Sequence, residues 1–238
     1  MSKLDENVYL KEGLFYTKSD QLFTGKLLGK RKAKVVNGKI EGKYLEYYDN
    51  GQVRYDIFYK NNKEEGRYLE YFSNGNLKFK GIYKDGKQEG EWHFYSYLGE
   101  LESKLNYKCG IREGKCMTFG DNGLYDIFYL KNNKMHGEYL RYNKQDKLLF
   151  RVHYKNGIKD GECFSYHENG NIFWKGIIKE GKQEGEWQQY LKNGKLYIIM
   201  NYKNGKIHGD VTVLDSNGDI TRKTIWDKQK LIKETNFH

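Results

Sequence analysis

Glycine returns along this chain with a fixed period. Aligned on one glycine, the sequence gives Gly42, Gly66, Gly90, Gly114, Gly137, Gly161, Gly185 and Gly209, spaced by 24, 24, 24, 23, 24, 24 and 24 residues. Self-similarity at a period of about 20–50 residues marks a stacked repeat, in which each unit buries its apolar face only against its neighbours. With these glycines as position 0, a second glycine recurs at position 9 (Gly51, Gly75, Gly99, Gly123, Gly170, Gly194, Gly218). A third recurs at position 20 (Gly86, Gly110, Gly157, Gly181, Gly205).

Each unit therefore carries two turn signals. Asn50-Gly51, Asn74-Gly75, Asn156-Gly157 and Asn204-Gly205 are the dipeptides that accept positive φ at both centres of a hairpin turn. The segments between turns run to roughly 6–8 residues, the length of ordinary strands and too short for helices. The fold class that follows is all-β: tandem β-hairpin repeats forming one elongated, twisted, single-layer antiparallel sheet.

A register follows from two-residue turns at positions 8–9 and 19–20. Position 2 then opposes 15, 4 opposes 13, 6 opposes 11, and 15 opposes the next unit's position 0. Alternation places positions 2, 11, 13, 15 and 17 on one face. Position 2 holds Tyr44, Tyr68, Trp92, Cys116, Tyr139, Cys163, Trp187 and Val211, and position 17 is mostly tyrosine. That face is the candidate core. Cys116 and Cys163 read there as small apolar fillers.

The opposite face collects positions 5, 12 and 14. Its tyrosines are Tyr47, Tyr71, Tyr95, Tyr142, Tyr166 and Tyr190, and its cations are Arg54, Lys78, Lys80, Lys104, Arg151 and Lys175. These twelve residues are the candidate partner-binding set. Two readings stand side by side. Rings and cation stems could pack across strands, with pairs such as Tyr47–Arg54 and Tyr71–Lys78. Alternatively, the strip is a basic, aromatic binding surface, because exposed aromatic area usually marks a site.

The position-0 glycines carry a structural role. A glycine in a strand lets neighbouring rings lie across it and lets the sheet bend. Just before them stand Glu41, Glu65, Glu89, Glu113, Asp160 and Glu184, with Lys39, Lys63, Lys87 and Lys182 two residues ahead of such acids and Lys206 in the same place ahead of His208. These read as alternating charges that pair between stacked turns. The unit at Gly114 is short in its second strand, and the unit at Gly137 has Asp146 in place of the turn glycine. The organisation expected is a degenerate capping repeat over 1–38, eight hairpin repeats over 39–226 and a charged cap or tail over 227–238.

Composition narrows the function. The 238 residues include no proline, 27 glycines and 16% aromatics, with a net charge of +10. Disordered chains lack aromatics, and a positive surface favours acidic partners. Three cysteines without a C-x-x-C suggest reduced thiols. Met1 to Glu12 lack the basic start and apolar core of a secretion signal. A cytoplasmic location is expected, or a secreted or surface one if a signal has been removed. The histidines (His93, His136, His153, His167, His208, His238) show no metal spacing. No cofactor, metal or catalytic group is expected, and the chain does not read as an enzyme.

Two stretches carry a resemblance. Tyr83-Lys84-Asp85-Gly86-Lys87-Gln88-Glu89-Gly90-Glu91-Trp92 resembles a MORN repeat, as does Tyr202-Lys203-Asn204-Gly205-Lys206-Ile207-His208-Gly209. The wider pattern is similar to the bacterial MORN-like variant grouped as YwqK-type antitoxins. The resemblance implies stacked hairpins without catalytic residues, and a protein partner, with a toxin among the candidates. An acidic-lipid scaffold and a surface adhesion factor are the alternatives. Nucleic acid is not expected as a partner, while self-pairing into a homodimer is, through open edges and an apolar face.

Overall fold

The computed structural model describes residues 7–237. Residues 1–6 of the expected N-terminal cap, part of the stretch tested for a secretion signal, and the histidine at 238 lie outside the described residues. The chain divides into two compact units, 1–114 and 115–238.

The first unit contains β1 (Val8–Lys11), β2 (Leu14–Thr17), β3 (Gly25–Leu28), β4 (Arg31–Val36), β5 (Lys39–Tyr47) and β6 (Val53–Lys60). It continues with β7 (Lys63–Tyr71), β8 (Leu77–Lys84), β9 (Lys87–Tyr95), β10 (Leu101–Lys108) and β11 (Ile111–Arg112). From β3 to β11 each strand pairs antiparallel with its sequence neighbours. β1 and β2 form a separate two-stranded sheet.

The second unit opens with β12 (Gly114–Phe119), whose first residue is the last of the first unit, and a 3-10 turn, Asp121–Gly123. Its further strands are β13 (Tyr125–Lys131), β14 (Lys134–Tyr142), β15 (Leu148–Lys155), β16 (Ile158–Tyr166) and β17 (Ile172–Lys179). Then come β18 (Lys182–Tyr190), β19 (Leu196–Lys203), β20 (Lys206–Leu214), β21 (Ile220–Asp227) and β22 (Lys230–Asn236). They pair antiparallel in chain order. The stretch read as a charged tail thus carries β22. The fold is all-β and built of successive hairpins.

The turns at positions 19–20 are two-residue loops with both centres at positive φ, such as Asp85 (50°) and Gly86 (74°) between the paired Lys84 and Lys87. The turns near position 9 are wider. Gly51 N–H donates to Tyr48 O and Tyr48 N–H to Gln52 O, which closes a three-residue loop with Gly51 at φ 83°. This turn-plus-bulge geometry makes Tyr47 oppose Val53. Position 5, and not 6, therefore faces 11. Asp146 fills the same left-handed site in the unit at Gly137, with φ 59°.

A second correction concerns position 0. Ile57 pairs with Tyr68, and the next pair is Tyr59 with Glu64. Two extra residues bulge from β7 around Gly66, so position 15 opposes the next unit's position 2 and not its position 0. The same shift recurs at Lys80/Ile82, Val152/Tyr154, Lys175/Ile177 and Met200/Tyr202. Gly66 sits at φ 83°, where a β-carbon is strained. Rings do not lie across Gly42, Gly90 or Gly185, where a β-carbon would meet nothing within 4 Å, while at Gly161 it would stand 3.1 Å from His153 Cβ. Within the repeats, rings cover Gly81 and Gly176, at position 15, and ahead of them the Phe23 ring covers Gly25.

The acids before position 0 have a specific task. Glu65 accepts the backbone N–H of Asp85 at 2.8 Å, and Glu41, Glu89 and Glu184 accept those of Asn61, Cys109 and Asn204 at the same distance. Beside each bond runs a backbone one, such as Gly86 N–H to Glu64 O at 2.9 Å. Each tight turn is thus tied at two points to the turn before it. The expected pairing of these acids with lysines gives way to caps on backbone donors that a positive-φ turn leaves pointing outward.

The core lies on the face of positions 2, 15 and 17. In the first unit Val8, Phe15, Leu27, Ala33, Val35, Ile40, Tyr44 and Ile57 form one buried cluster. Val8 and Phe15 come from the β1–β2 hairpin, which lays a second layer over the apolar face. Phe15 N–H to Gly38 O (2.9 Å) and Asn62 Nδ2 to Gly13 O (2.8 Å) pin it there. In the second unit Val152, Cys163, Ile178 and Trp187 are buried among Tyr139, Phe150 and Trp174. Full burial of a side chain such as Val35 or Val152 contributes about 1.5–3 kcal/mol.

Candidate functional site: two faces of the hairpin repeat

On the core face a charged residue stands beside the position-2 tyrosine. Tyr44 O–H donates to Glu46, which also takes Arg31 Nε at 3.0 Å. Tyr68 O–H donates to Glu70 at 3.1 Å, and Lys78 Nζ reaches the same carboxylate at 2.8 Å. Glu70 is only 8% exposed, and a buried carboxylate needs such partners. In the second unit the charges exchange places. Arg141 donates to Asp126 at 2.8 Å and to Tyr139 O–H at 2.7 Å.

These contacts relocate two of the predicted site residues. Arg54 Nη1 approaches Glu46 at 3.6 Å, and its guanidinium lies over Tyr48 and Tyr55. Lys78 lies over Phe72 and Phe79. Neither pairs with Tyr47 or Tyr71 as expected. The cause is the bulge at Glu46/Tyr47 and Glu70/Tyr71, which turns position 12 toward the carboxylates of the core face.

Burial pushes several phenols up. Tyr44, Tyr59 and Tyr68 are raised by desolvation and by the neighbouring Glu46, Glu64 and Glu70. Tyr139 is pushed up to about 12 by burial and by Asp126. Burial also opposes ionisation of Asp126, but hydrogen bonds from Arg141 and Tyr139 outweigh it and hold that carboxyl below its usual range. The Cys163 thiol is raised by burial, which suits a filler and not a nucleophile.

The outer face does pair tyrosines with cations, across a different interval. Lys80 Nζ lies 5.9 Å from the Tyr95 ring centroid and Lys175 Nζ 5.3 Å from that of Tyr190. Lys32, ahead of the first repeat, stands 4.9 Å over Tyr47. Each pair joins a cation to the tyrosine fifteen residues on. Arg151 lies over Phe164 at 5.2 Å and pairs with Glu138 and Glu162 at 3.3 and 3.1 Å. Tyr142 stacks on Tyr125 with centroids 5.1 Å apart, and Tyr166 on Phe164. Tyr71 is half-buried and its phenol is raised, by burial first and then by Asp56. Lys104 is half-buried opposite His93.

One outer row escaped the sequence reading. Position 16, between two core positions, holds the exposed Phe58 and Ile82 in the first unit and Ile177 and Ile225 in the second, with Tyr129 in the equivalent place of the shortened repeat, while Asn106, His153 and Asn201 occupy it in the others. A strand that alternates about the core positions 15 and 17 must send 16 outward, so the signal was available. Among the described residues no three His, Cys, Asp or Glu side chains come together to hold a metal ion.

Five stretches match the profile of the MORN repeat variant: 40–61, 64–85, 135–156, 159–173 and 183–204. Four of them hold a strand pair, and 159–173 holds β16 and only the start of β17. No curated protein matches the sequence.

Proposed function

We propose that this MORN-repeat protein is a non-catalytic binding module, and that its outer face docks an acidic protein partner. The reading rests most on one observation, made within each unit: exposed apolar side chains at position 16, Phe58 and Ile82 in the first and Ile177 and Ile225 in the second, accompany a tyrosine–cation pair, Lys80 with Tyr95 and Lys175 with Tyr190. Interfaces of about 800 Å² per partner combine an apolar centre with a polar rim, and these two sets of side chains supply both. The net charge of +10 selects for acidic surfaces. The resemblance to the antitoxin variant supports a finer form, in which binding neutralises a toxin in the cytosol.

Affinity capture from lysate of the source cells tests this. The tagged chain should retain one stoichiometric acidic protein at moderate salt. Its absence would overturn the reading. A second reading, an anionic-lipid scaffold, is favoured by the same charge. Co-sedimentation with acidic but not neutral vesicles, lost at high salt, would replace the first.

A further inference from the structure

Between the β1–β2 hairpin and the core face of β5–β7 lies an open cleft of about 490 Å³. Leu10, Gly13 and Phe15 form the wall that the hairpin supplies, and Tyr44, Tyr55, Tyr59 and Tyr68 line the sheet side. The size is that of a small-ligand site, and the lining is unusual in its charges. Arg31 and Glu46 also face the cleft, but they pair with one another, and Arg54 adds a second cation to Glu46. Glu64 is different. Its carboxylate accepts from the Tyr59 hydroxyl at 3.5 Å, and among the described residues no Lys, Arg or His nitrogen forms an ion pair with it.

We propose that this cleft binds an organic cation, an ammonium or guanidinium group, held between the tyrosine rings and the Glu64 carboxylate. Tyrosine faces attract cations through the ring quadrupole, more strongly where water is excluded. The phenols of Tyr44, Tyr59 and Tyr68 direct their protons to Glu46, Glu64 and Glu70, so the rings and not the hydroxyls remain for a ligand. Glu64 supplies the one uncompensated charge. An anion would meet that charge with no free cation to offset it, since Arg31 is engaged. The site is separate from the outer face and does not depend on the function proposed for it.

The test titrates the full chain with choline, with the tripeptides Gly-Lys-Gly and Gly-Arg-Gly, and with Gly-Glu-Gly, followed by calorimetry and by tyrosine ring proton shifts. The cationic probes should bind and the acidic one should not. Choline alone would identify a free small cation, and the tripeptides a basic side chain. Glu64→Gln should weaken binding by about tenfold or more, given the strength of a desolvated cation contact, while Tyr59→Phe, which keeps the ring, should retain most of it. Ring shifts should be confined to the cleft tyrosines, a readout that does not depend on how any variant folds. Absence of binding by every cation, shifts at Tyr95 or Tyr190 instead, or unchanged affinity in a folded Glu64→Gln variant would overturn the proposal.

Discussion

The indole of Trp92 lies across Gly81, so closely that a β-carbon on Gly81 would stand 2.6 Å from Trp92 Nε1. That nitrogen donates to Ile82 O at 3.2 Å. Trp187 and Gly176 repeat the arrangement, with the donor bond to Ile177 O at 3.1 Å. Trp92 and Trp187 are among the buried residues of their units. Overpacking of such a contact costs about 1–3 kcal/mol, so Gly81→Ala should lie at the upper end of that range. Replacing Trp92 by Leu as well should recover at least about 1 kcal/mol of it. Gly90→Ala has open space but a φ of 69°, and should cost about 1–2 kcal/mol regardless of residue 92. Denaturant midpoints of the double-mutant cycle check this, and additivity of Gly81→Ala with Trp92→Leu would contradict it.

The stacked turns make a second prediction. Glu65 accepts a backbone N–H of the next turn, so Glu65→Ala should cost about 1 kcal/mol, the net worth of a hydrogen bond. Lys63→Ala should change stability by a few tenths at most, as for an exposed charge. Thermal midpoints decide between the two accounts. Equal losses from both substitutions would restore lysine–acid pairing as the link between units.

Alkaline pH is the third probe. Burial and neighbouring carboxylates raise the phenols of Tyr44, Tyr59, Tyr68 and Tyr139 above the ordinary value of 10, that of Tyr139 to about 12. Folding therefore retains protons that the unfolded chain releases. The stability this provides is complete below about pH 10 and is lost as pH rises from there through the folded values. Tyrosinate absorbance should show an early set of exposed phenols and a late set that titrates together with loss of β-sheet circular dichroism. A single titration near pH 10 with the sheet intact would contradict the burial described here.

Much of this was legible in the sequence because period and alternation are direct consequences of backbone geometry. The 24-residue spacing, the two-residue turns at Asp85-Gly86 and its equivalents, and the core columns headed by Tyr44 and Trp92 all followed from it. What escaped was the bulges. Two extra residues around Gly66 and one at Glu46/Tyr47 do not break the glycine period, because they recur at the same places in the neighbouring units. They do change which residues meet. Arg54 and Lys78 therefore turn to the core face, while Lys80 and Lys175 keep the outer one. The Gly81–Trp92 contact had a signal that went unread: glycine occupies position 15 only in the two units followed by tryptophan at position 2, as Gly81 with Trp92 and Gly176 with Trp187. The cleft beneath β1–β2 had none, since nothing in the repeat announces that the first hairpin leaves the ladder and lies on Tyr44 and Ile57.

The assignment of faces is tested most directly by comparing two neutralised variants for retention of the captured partner. Lys80→Gln with Lys175→Gln removes cations from the outer face, and Arg54→Gln with Lys78→Gln removes them from the core face. The account predicts that the first pair weakens binding and steepens its loss with salt, while the second leaves affinity unchanged and lowers the thermal midpoint. Binding lost through Arg54 and Lys78, and kept without Lys80 and Lys175, would contradict it.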